Sequence, residues 1–291
     1  MAAILLVVLA EQLTTIWRPS LPESVDGKPL VTTVQGLMDL AWDDSRLPAN
    51  AAVAFWMRPT VVAAFIAFYL TSQPLFRWIR RASGLTTSHF AFRTAVALHN
   101  LLLAVFSAVT AWNSWPVVYQ HFMERGARAV YCDSDGSLWA AGLGAWSYIF
   151  YVSKFYEFAD TWVLLLKGKE ASFLQVYHHA GIAFIMWGAV ASQSAWLLFV
   201  VLLNSVIHTL MYTYFLIKTV RPQTEIKAAK YLTKAQIGQF LLGIASTVGI
   251  FFMGDECDTE SSRFMLACLH IYGFGLIALF VAFANRKYKK S

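Results

Sequence analysis

Two adjacent histidines in an apolar segment carry the first chemistry that this sequence could perform. His178 and His179 follow Gln175 at spacings i+3 and i+4, which place the glutamine beside both imidazoles on one face of a helix. A neutral imidazole can act as a nucleophile or a general base near neutral pH. Because polar groups among apolar neighbours need hydrogen-bond partners or a ligand, this pair predicts a functional site.

A second polar stripe lies further along the chain. Asn204, His208, Met211 and Tyr212 recur at i, i+4, i+7 and i+8, so a helix would present them on one face. Methionine and tyrosine at this spacing usually indicate packing. Asparagine and histidine in the same apolar stripe favour a functional site instead.

A third polar group stands at the start of a later apolar segment, where Thr233, Gln236 and Gln239 precede Phe240. Two interpretations stay open. These residues can contribute to the same site, or Thr233 caps a helix and the glutamines lie at the membrane interface.

Three charged residues lie inside another apolar segment. Lys154, Glu157 and Asp160 are spaced i, i+3 and i+6, so they share one helix face and can pair with one another. An ionisable group at the bilayer centre costs at least about 2.5–3.5 kcal/mol, which favours a functional site. A structural ion network that locks helices together is the alternative. Both interpretations place this face inward.

The composition indicates which elements must position these residues. Of the 291 residues, 58% are hydrophobic and only 14% are charged, whereas a soluble domain carries about a quarter of its residues as charged ones. Despite the net charge of +6, this excludes a disordered chain or a nucleic-acid-binding protein. A membrane-spanning helix needs about 20 apolar residues. Seven segments qualify: residues 60–76, 94–115, 138–166, 172–191, 195–217, 235–254 and 264–284.

We therefore predict an all-α membrane protein with seven transmembrane helices in one domain, residues 60–284. Residues 1–59 are predicted to form a non-cytosolic N-terminal segment, and residues 285–291 a basic cytosolic tail. The apolar stretch 2–10 is too short to span a bilayer and lacks a basic region before it. We interpret it as an interfacial segment rather than a signal peptide.

The distribution of basic residues predicts the orientation. One set of alternate loops, including the C-terminal tail, holds 15 Lys and Arg residues and two acidic ones, whereas the opposite set holds seven basic and 13 acidic residues. The positive-inside rule therefore places the C-terminus in the cytosol and the N-terminus on the far side. Lys287 and Lys289, five and three places from the end, are spaced as in a dilysine retrieval signal of the endoplasmic reticulum. The positive-inside bias alone also predicts such a tail.

The predicted depths bring the polar groups to one level. At 1.5 Å per residue, Asp160, His178 and His208 lie roughly 9–14 Å below the cytosolic surface. A polar pocket that opens to the cytosol explains this coincidence. His99 and His270, in the second and seventh segments, can line this pocket, but simple packing or hydrogen bonds between helices is the interpretation that we favour.

The three cysteines argue against thiol chemistry at this pocket. Cys132 and Cys257 fall in the non-cytosolic loops, and Cys268 lies near that end of the last segment. Their number and spacing do not fit a disulfide framework or a zinc cluster. A disulfide between Cys132 and Cys257 is expected in an oxidising lumen.

Together these motifs resemble the ELO family of fatty-acid elongases, the membrane 3-ketoacyl-CoA synthases. The family's Lys, Glu and Asp-Thr pattern is matched by Lys154, Glu157, Asp160 and Thr161, and the three polar groups above match its histidine box, its Asn-His-Met-Tyr box and its Thr-Gln-Gln-Phe box in the same order. Gln175 replaces the first histidine of the HxxHH box, as in elongases of polyunsaturated acyl chains, which argues against a three-histidine metal site. The basic run Lys167-Gly168-Lys169 is shorter than in the family.

This resemblance implies condensation of an acyl-CoA with malonyl-CoA, which gives a 3-ketoacyl-CoA two carbons longer and releases CO₂ and CoA. It assigns His178 as the nucleophile that forms an acyl-imidazole. His208 would position malonyl-CoA and stabilise the enolate, while Asn204 and Gln236 donate hydrogen bonds to developing oxyanions. Six of the seven helices would enclose an acyl tunnel.

The remaining site residues are implied to support these steps. His179 belongs to the catalytic set, Glu157 and Asp160 would orient the histidines, and Lys154 would balance their charge. Substrate contacts are assigned to Lys154, Gln175, Tyr212, Gln236 and Gln239, and contacts to the CoA phosphates to Lys167, Lys169, Lys230 and Lys234.

The resemblance implies no cofactor and no metal. The implied partners are acyl-CoA, malonyl-CoA, membrane lipid and the reductases and dehydratase of the elongation cycle. A homodimer is compatible with the family, and the implied location is the membrane of the endoplasmic reticulum.

Two other classes of protein are alternatives. An iron-dependent membrane desaturase or hydroxylase also carries HxxHH boxes, but it needs about eight histidines, and this chain has seven, with His89 and His121 in loops. A seven-helix receptor or transporter would fit the topology but leaves the clustered histidines unexplained. A retinal pump is excluded, because residues 264–284 contain no lysine.

We expect the C-terminus to face the cytosol, because 15 basic residues mark that side. An epitope added after Ser291 should be digested by protease outside sealed microsomes, whereas one at the N-terminus should be digested only after detergent is added. The reverse protection pattern would contradict the orientation.

Overall fold

The computed structural model describes residues 29–84, 86, 89–226 and 229–288, and within these ranges its regular elements are all helices. The predicted interfacial segment 2–10 and the last residues of the basic tail lie outside the described residues. The helices are α1 (Val34–Asp39), α2 (Ala51–Met57), α3 (Pro59–Thr71), α4 (Gln73–Ser83), α5 (Phe90–Cys132), α6 (Gly144–Tyr156), α7 (Phe158–Leu166), α8 (Phe173–Ala191), α9 (Leu197–Val220), α10 (Ala229–Thr247) and α11 (Glu260–Tyr288).

All seven predicted apolar segments lie in helical structure, but fewer helices have the length and apolarity of a membrane span. In the described part of the chain four helices qualify: α5, α9, α11 and the unit Ala229–Phe252, in which a 3₁₀ turn extends α10. A fifth is counted if α2 and α3, bent by 60° at Arg58, form one span. The all-helical membrane class is confirmed, whereas the count of seven spans is not.

The two missing spans carry the three charged residues and the histidine pair. The predicted segment 138–166 is divided into a π-helical turn at Trp139–Leu143 and the short helices α6 and α7, which are interrupted at Glu157. The other, α8, has 19 residues, among them Gln175 and the histidine pair. Its first turn is capped by the Ser172 hydroxyl, which accepts a hydrogen bond from the Gln175 N–H at 3.2 Å.

We call the end where α8 ends at Ala191 and α11 begins at Glu260 the distal end, and the opposite end, where α8 begins, the proximal end. The segment that precedes α3 packs on the distal end. The N–H of Leu30 donates to the Ala191 carbonyl at 2.9 Å, and the Ser261 N–H donates to the Thr32 carbonyl at 3.1 Å. These backbone bonds give the buried ends of α8 and α11 hydrogen-bond partners that they would otherwise lack.

Cys132 and Cys257 form the predicted disulfide, which ties the end of α5 to the loop before α11. Cys268 is a free thiol. A disulfide that closes a long loop commonly stabilises a fold by about 2–4 kcal/mol. The bridge therefore helps to hold α5 and α11 together at the distal end.

A pair of tyrosines joins α8 to α11 at the level of the histidines. The rings of Tyr177 and Tyr272 stack with 5.2 Å between their centroids. Each ring lies over a glycine of the other helix: a Cβ atom at Gly181 would be 2.4 Å from Tyr272 Cε2, and one at Gly275 would be 2.6 Å from Tyr177 Oη. The Tyr272 hydroxyl also donates to the His178 carbonyl at 2.8 Å. This contact fixes the helix that carries the histidine pair.

Gly181→Ala should therefore destabilise the protein by about 1–3 kcal/mol, because the new methyl group overlaps the Tyr272 ring. Thermal unfolding in detergent micelles should show a midpoint several degrees lower. Gly238→Ala is the matched control, since a Cβ there meets no heavy atom within 4 Å. Equal unfolding midpoints for the two variants would show that the Tyr272 ring moves aside at no cost in stability.

Candidate active site

The buried ion pair is the first component of the site. Lys154 Nζ lies 2.7 Å from Glu157 Oε1, and both side chains are almost fully buried. The ammonium also lies 3.7 Å from the centroid of the Phe150 ring, in a cation–π contact. The inward orientation and the pairing predicted for these two residues are confirmed.

Asp160 does not join that pair but binds residues of other helices. His99 Nε2, on α5, lies 2.7 Å from Asp160 Oδ1, and the Tyr212 hydroxyl, on α9, donates to Oδ2 at 2.7 Å. His179 Nε2, on α8, is 4.0 Å from the same Oδ2. The predicted triplet is therefore divided, because Asp160 lies in α7 beyond the interruption at Glu157 and faces different neighbours.

His178, His179 and His208 come together and form what we call the histidine cluster. The ring centroids of His178 and His179 are 5.4 Å apart, and those of His178 and His208 are 6.5 Å apart. His208 Nδ1 lies 4.0 Å from Glu157 Oε1. The cluster thus joins two separate sequence motifs to the ion pair.

Four buried polar atoms of this cluster and its neighbour have no hydrogen-bond partner among the described residues. They are Nδ1 of all three histidines and Oε2 of Glu157. Buried polar groups in native proteins are almost always hydrogen-bonded, so such a concentration indicates a place where a ligand or water binds. An imidazole nitrogen that carries no proton can attack a carbonyl carbon or accept a proton.

Gln175 is part of a separate hydrogen-bond chain. Its Nε2 donates to Thr161 Oγ1 at 3.0 Å, and the same hydroxyl pairs with the Tyr69 hydroxyl at 2.9 Å. The Tyr69 ring lies 6.1 Å from that of His179. Gln175 thus ties the start of α8 to α7. Within the described residues no group of three His, Cys, Asp or Glu side chains has the geometry of a metal site.

A partly open cavity lies beside His178 of the histidine cluster, between α8, α9, α10 and α11. His178, Asn204 and Gln239 line its proximal part, and Thr247 and His270 line its distal part. Gln239 and Thr247 are two turns apart on α10, which corresponds to about 12 Å along the helix. Most of the wall between them is aliphatic or aromatic, so the cavity suits a hydrocarbon chain that begins at His178.

The other predicted substrate contacts lie elsewhere. Gln236 Nε2 contacts the Met211 sulfur at 3.4 Å rather than lining the cavity. The four lysines stand at the proximal end, with Lys167 and Lys169 just after α7 and Lys230 and Lys234 in the first turns of α10. Lys167 is half-buried and the other three are exposed.

The basic loop after α7 packs against α4. Gly168 has φ +75°, and a Cβ there would be 2.5 Å from Arg80 Nη2, so the loop requires glycine at this place. Arg77 Nη2 pairs with Glu170 at 2.7 Å. Arg80 therefore joins the positive surface beside Lys167 and Lys169, a position that the linear sequence did not indicate because α4 is distant along the chain.

His99 and His270 make the helix–helix hydrogen bonds that were predicted for them, and His270 also lines the cavity, which was the alternative for both. His99 contacts Asp160, and His270 Nε2 pairs with Thr247 Oγ1 at 2.8 Å inside the cavity. Tyr69 and Tyr272, which also contact the site, stand outside the sequence motifs. Their only signal in the sequence is a hydroxyl in an apolar segment, which is common and unspecific.

Comparisons with known proteins agree on one family. The sequence model of the ELO family, described as the GNS1/SUR4 family, matches residues 54–291. "Fatty acid elongase sre1" of Dictyostelium discoideum is 29% identical over 265 residues, which cover 90% of this chain and 93% of that protein. "Long chain fatty acid elongase 2" of Caenorhabditis elegans is 30% identical over 201 residues, 69% of this chain and 73% of that protein.

Removal of one member of the buried ion pair should be costly. Lys154→Met leaves the Glu157 carboxylate buried without its cation and should lower the free energy of unfolding by about 3–5 kcal/mol. The double variant Lys154→Met/Glu157→Gln should recover part of this loss, because neither charge is then buried.

Thermal unfolding in detergent micelles measures both effects. The matched control is Arg77→Met, which breaks the exposed pair with Glu170 and should cost less than about 1 kcal/mol. If Lys154→Met and Arg77→Met lower the midpoint equally, the buried pair is not a special source of stability.

Proposed function

Because the chain belongs to the ELO family of fatty acid elongases, we propose that it is the condensing enzyme of fatty-acid elongation. It would join an acyl-CoA to malonyl-CoA and give a 3-ketoacyl-CoA two carbons longer, with release of CO₂ and CoA. The observation that carries this proposal is the histidine cluster: the Nδ1 atoms of its three imidazoles have no partner within the described residues, and His178 lines the cavity.

In the first half-reaction His178 is the nucleophile. Its imidazole lines the cavity, and its Nδ1 has no partner within the described structure. The nitrogen attacks the thioester carbonyl, a C–N bond forms as the C–S bond breaks, and the N–H proton of the imidazole passes to the departing thiolate. The product is an acyl-imidazole with free CoA.

In the second half-reaction malonyl-CoA loses CO₂ and the resulting enolate attacks the acyl carbon. A C–C bond forms, the C–N bond breaks, and His178 regains its proton from solvent, so that the cycle consumes one proton. His208, 6.5 Å from His178 between ring centroids, is placed to bind the malonyl group. Asn204, which lines the same part of the cavity, would donate to the developing oxyanion.

The neighbouring charged residues would support both steps. Glu157 lies 4.0 Å from His208 and Asp160 lies 4.0 Å from His179, so each carboxylate can orient one imidazole. Lys154 compensates the charge of Glu157. Gln236 is a weaker candidate for an oxyanion donor than Asn204 or Gln239, because its amide faces Met211.

The substrate assignments follow from the same geometry. We propose that the acyl chain lies in the cavity, that Gln239 borders it near the reacting groups, and that the basic proximal end attracts the CoA phosphates. Tyr212 is not among the residues that line the cavity, and it would act through its hydrogen bond to Asp160. Preference for very-long-chain or polyunsaturated substrates rests on Gln175, which stands where other members have the first histidine of the box.

We also propose that the chain spans the membrane seven times. Five spans are the four apolar helices and the bent pair α2–α3, the sixth is α6 together with α7, and the seventh is α8. The cavity itself is lined by four helices, α8 to α11, rather than by the six that the resemblance implies. Residues 1–59 would lie on the lumenal side and residues 285–291 in the cytosol. An endoplasmic-reticulum location is supported by the lysines near the C-terminus. It would give access to the reductases and the dehydratase that complete the cycle.

Membranes that contain the protein should convert acyl-CoAs and radiolabelled malonyl-CoA into products two carbons longer. His178→Ala and His208→Ala should each lower this activity by at least about 1,000-fold, since each removes a reacting or positioning imidazole. His89→Ala is the matched control, because His89 is exposed in a loop.

A panel of saturated and polyunsaturated acyl-CoAs tests the substrate preference in the same assay. Absence of product from every acyl-CoA would contradict the proposed function. Full activity of both variants would leave the function intact and refute the assignment of the two histidines.

A further inference from the structure

We propose that His99 is a positioning residue, which holds Asp160 so that the proton of His179 stays on Nε2. Its effect on catalysis rests on the proposed function, whereas its effect on His179 does not. None of the sequence motifs contains His99. It lies on α5, a helix that carries none of the assigned site residues.

The contacts of His99 determine the direction of its hydrogen bonds. Nε2 lies 2.7 Å from Asp160 Oδ1, and an ionised carboxylate can only accept, so Nε2 carries the proton. In the neutral imidazole Nδ1 then accepts the proton of the Tyr156 hydroxyl, 3.1 Å away. His99 is buried, so both of its nitrogens are used within the protein.

Two donors from different helices hold the Asp160 carboxylate. His99 occupies Oδ1 and Tyr212, on α9, occupies Oδ2 at 2.7 Å. Because each oxygen is bound to a rigid partner, the carboxylate cannot rotate without losing a hydrogen bond. Asp160 itself belongs to α7, so His99 couples α5 to the opposite wall of the site.

The fixed carboxylate faces one nitrogen of His179. Oδ2 of Asp160 lies 4.0 Å from His179 Nε2, while His179 Nδ1 is buried without a partner among the described residues. A carboxylate near one ring nitrogen favours the tautomer with its proton there. The other nitrogen, Nδ1, then presents a free lone pair to the site.

A histidine that only filled space would be replaced best by an apolar side chain. A histidine that acts through its N–H would be replaced best by another donor. His99→Leu and His99→Gln separate these roles, because leucine restores apolar bulk and glutamine retains an N–H that can reach Asp160. The control is Thr110→Val, also buried on α5, which loses only a hydrogen bond to the Phe106 carbonyl of its own helix.

The test measures kcat and the acyl-CoA KM of purified protein in nanodiscs, and the tautomer of His179 by ¹⁵N NMR of histidine-labelled protein. His99→Leu should lower kcat by about 10–100-fold and change KM less than about threefold. The reason is that the variant misplaces Asp160 and His179 but removes no contact to the substrate. His99→Gln should recover most of kcat, and Thr110→Val should match the wild type. If His99→Leu does not fold, His99→Asn takes its place, since its amide is too short to reach Asp160.

The NMR spectra should show the proton on His179 Nε2 in the wild type and in His99→Gln, and a mixture of tautomers in His99→Leu. Unchanged kcat in His99→Leu, or equal loss in the leucine and glutamine variants, would overturn the proposal. If the wild type makes no elongated product, the proposed function fails, but the NMR spectra still test the role of His99. A changed His179 tautomer in His99→Leu would support that role, and an unchanged tautomer would refute it.

Discussion

The burial of Lys154 and Glu157, and the partial burial of Asp160, among apolar helices is the constraint on which the rest of the structure depends. A lone carboxylate or ammonium is too costly in such surroundings, so each needs a partner with good geometry. Lys154 and Glu157 satisfy one another at 2.7 Å. Asp160 instead binds donors from α5 and α9, and the positions of several helices follow from these contacts.

Neutral hydrogen bonds and close packing fix the helices around the histidine cluster. Tyr272 holds the backbone of α8 at His178, and glycines on both helices make room for the stacked tyrosines. Thr161 joins Tyr69 to Gln175. These neutral hydrogen bonds orient the helices but leave the Nδ1 atoms of the three histidines without partners. The residues around the cluster are therefore held by hydrogen bonds, whereas the Nδ1 atoms at its centre are left without partners. A preorganised reaction site needs such an arrangement.

Much of this arrangement could be predicted from spacing. Residues at i, i+3 and i+4 share a helix face, so the pairing of Lys154 with Glu157 could be predicted. The common depth of His178 and His208 predicted that the two histidine motifs lie at one level. The break at Glu157 could not be predicted, because the backbone angles of this residue stay close to helical and no proline or glycine lies there. For the same reason the contacts of Asp160 were predicted wrongly. The polar residues of α8 lower its mean hydropathy, so α8 does not qualify as a span. This is one reason why the predicted seven spans exceed the four or five found in the described structure.

The sequence by itself determined the all-helical membrane class, the family and the candidate residues of the site, because composition, helical periodicity and short motifs are local properties. It also located the two cysteines that form the disulfide. Only the tertiary structure decided which side chains meet: His99 at Asp160, Thr247 at His270, and Arg80 at Gly168. Those contacts join residues distant along the chain, and they depend on how helices rotate and bend against one another, which no local pattern encodes.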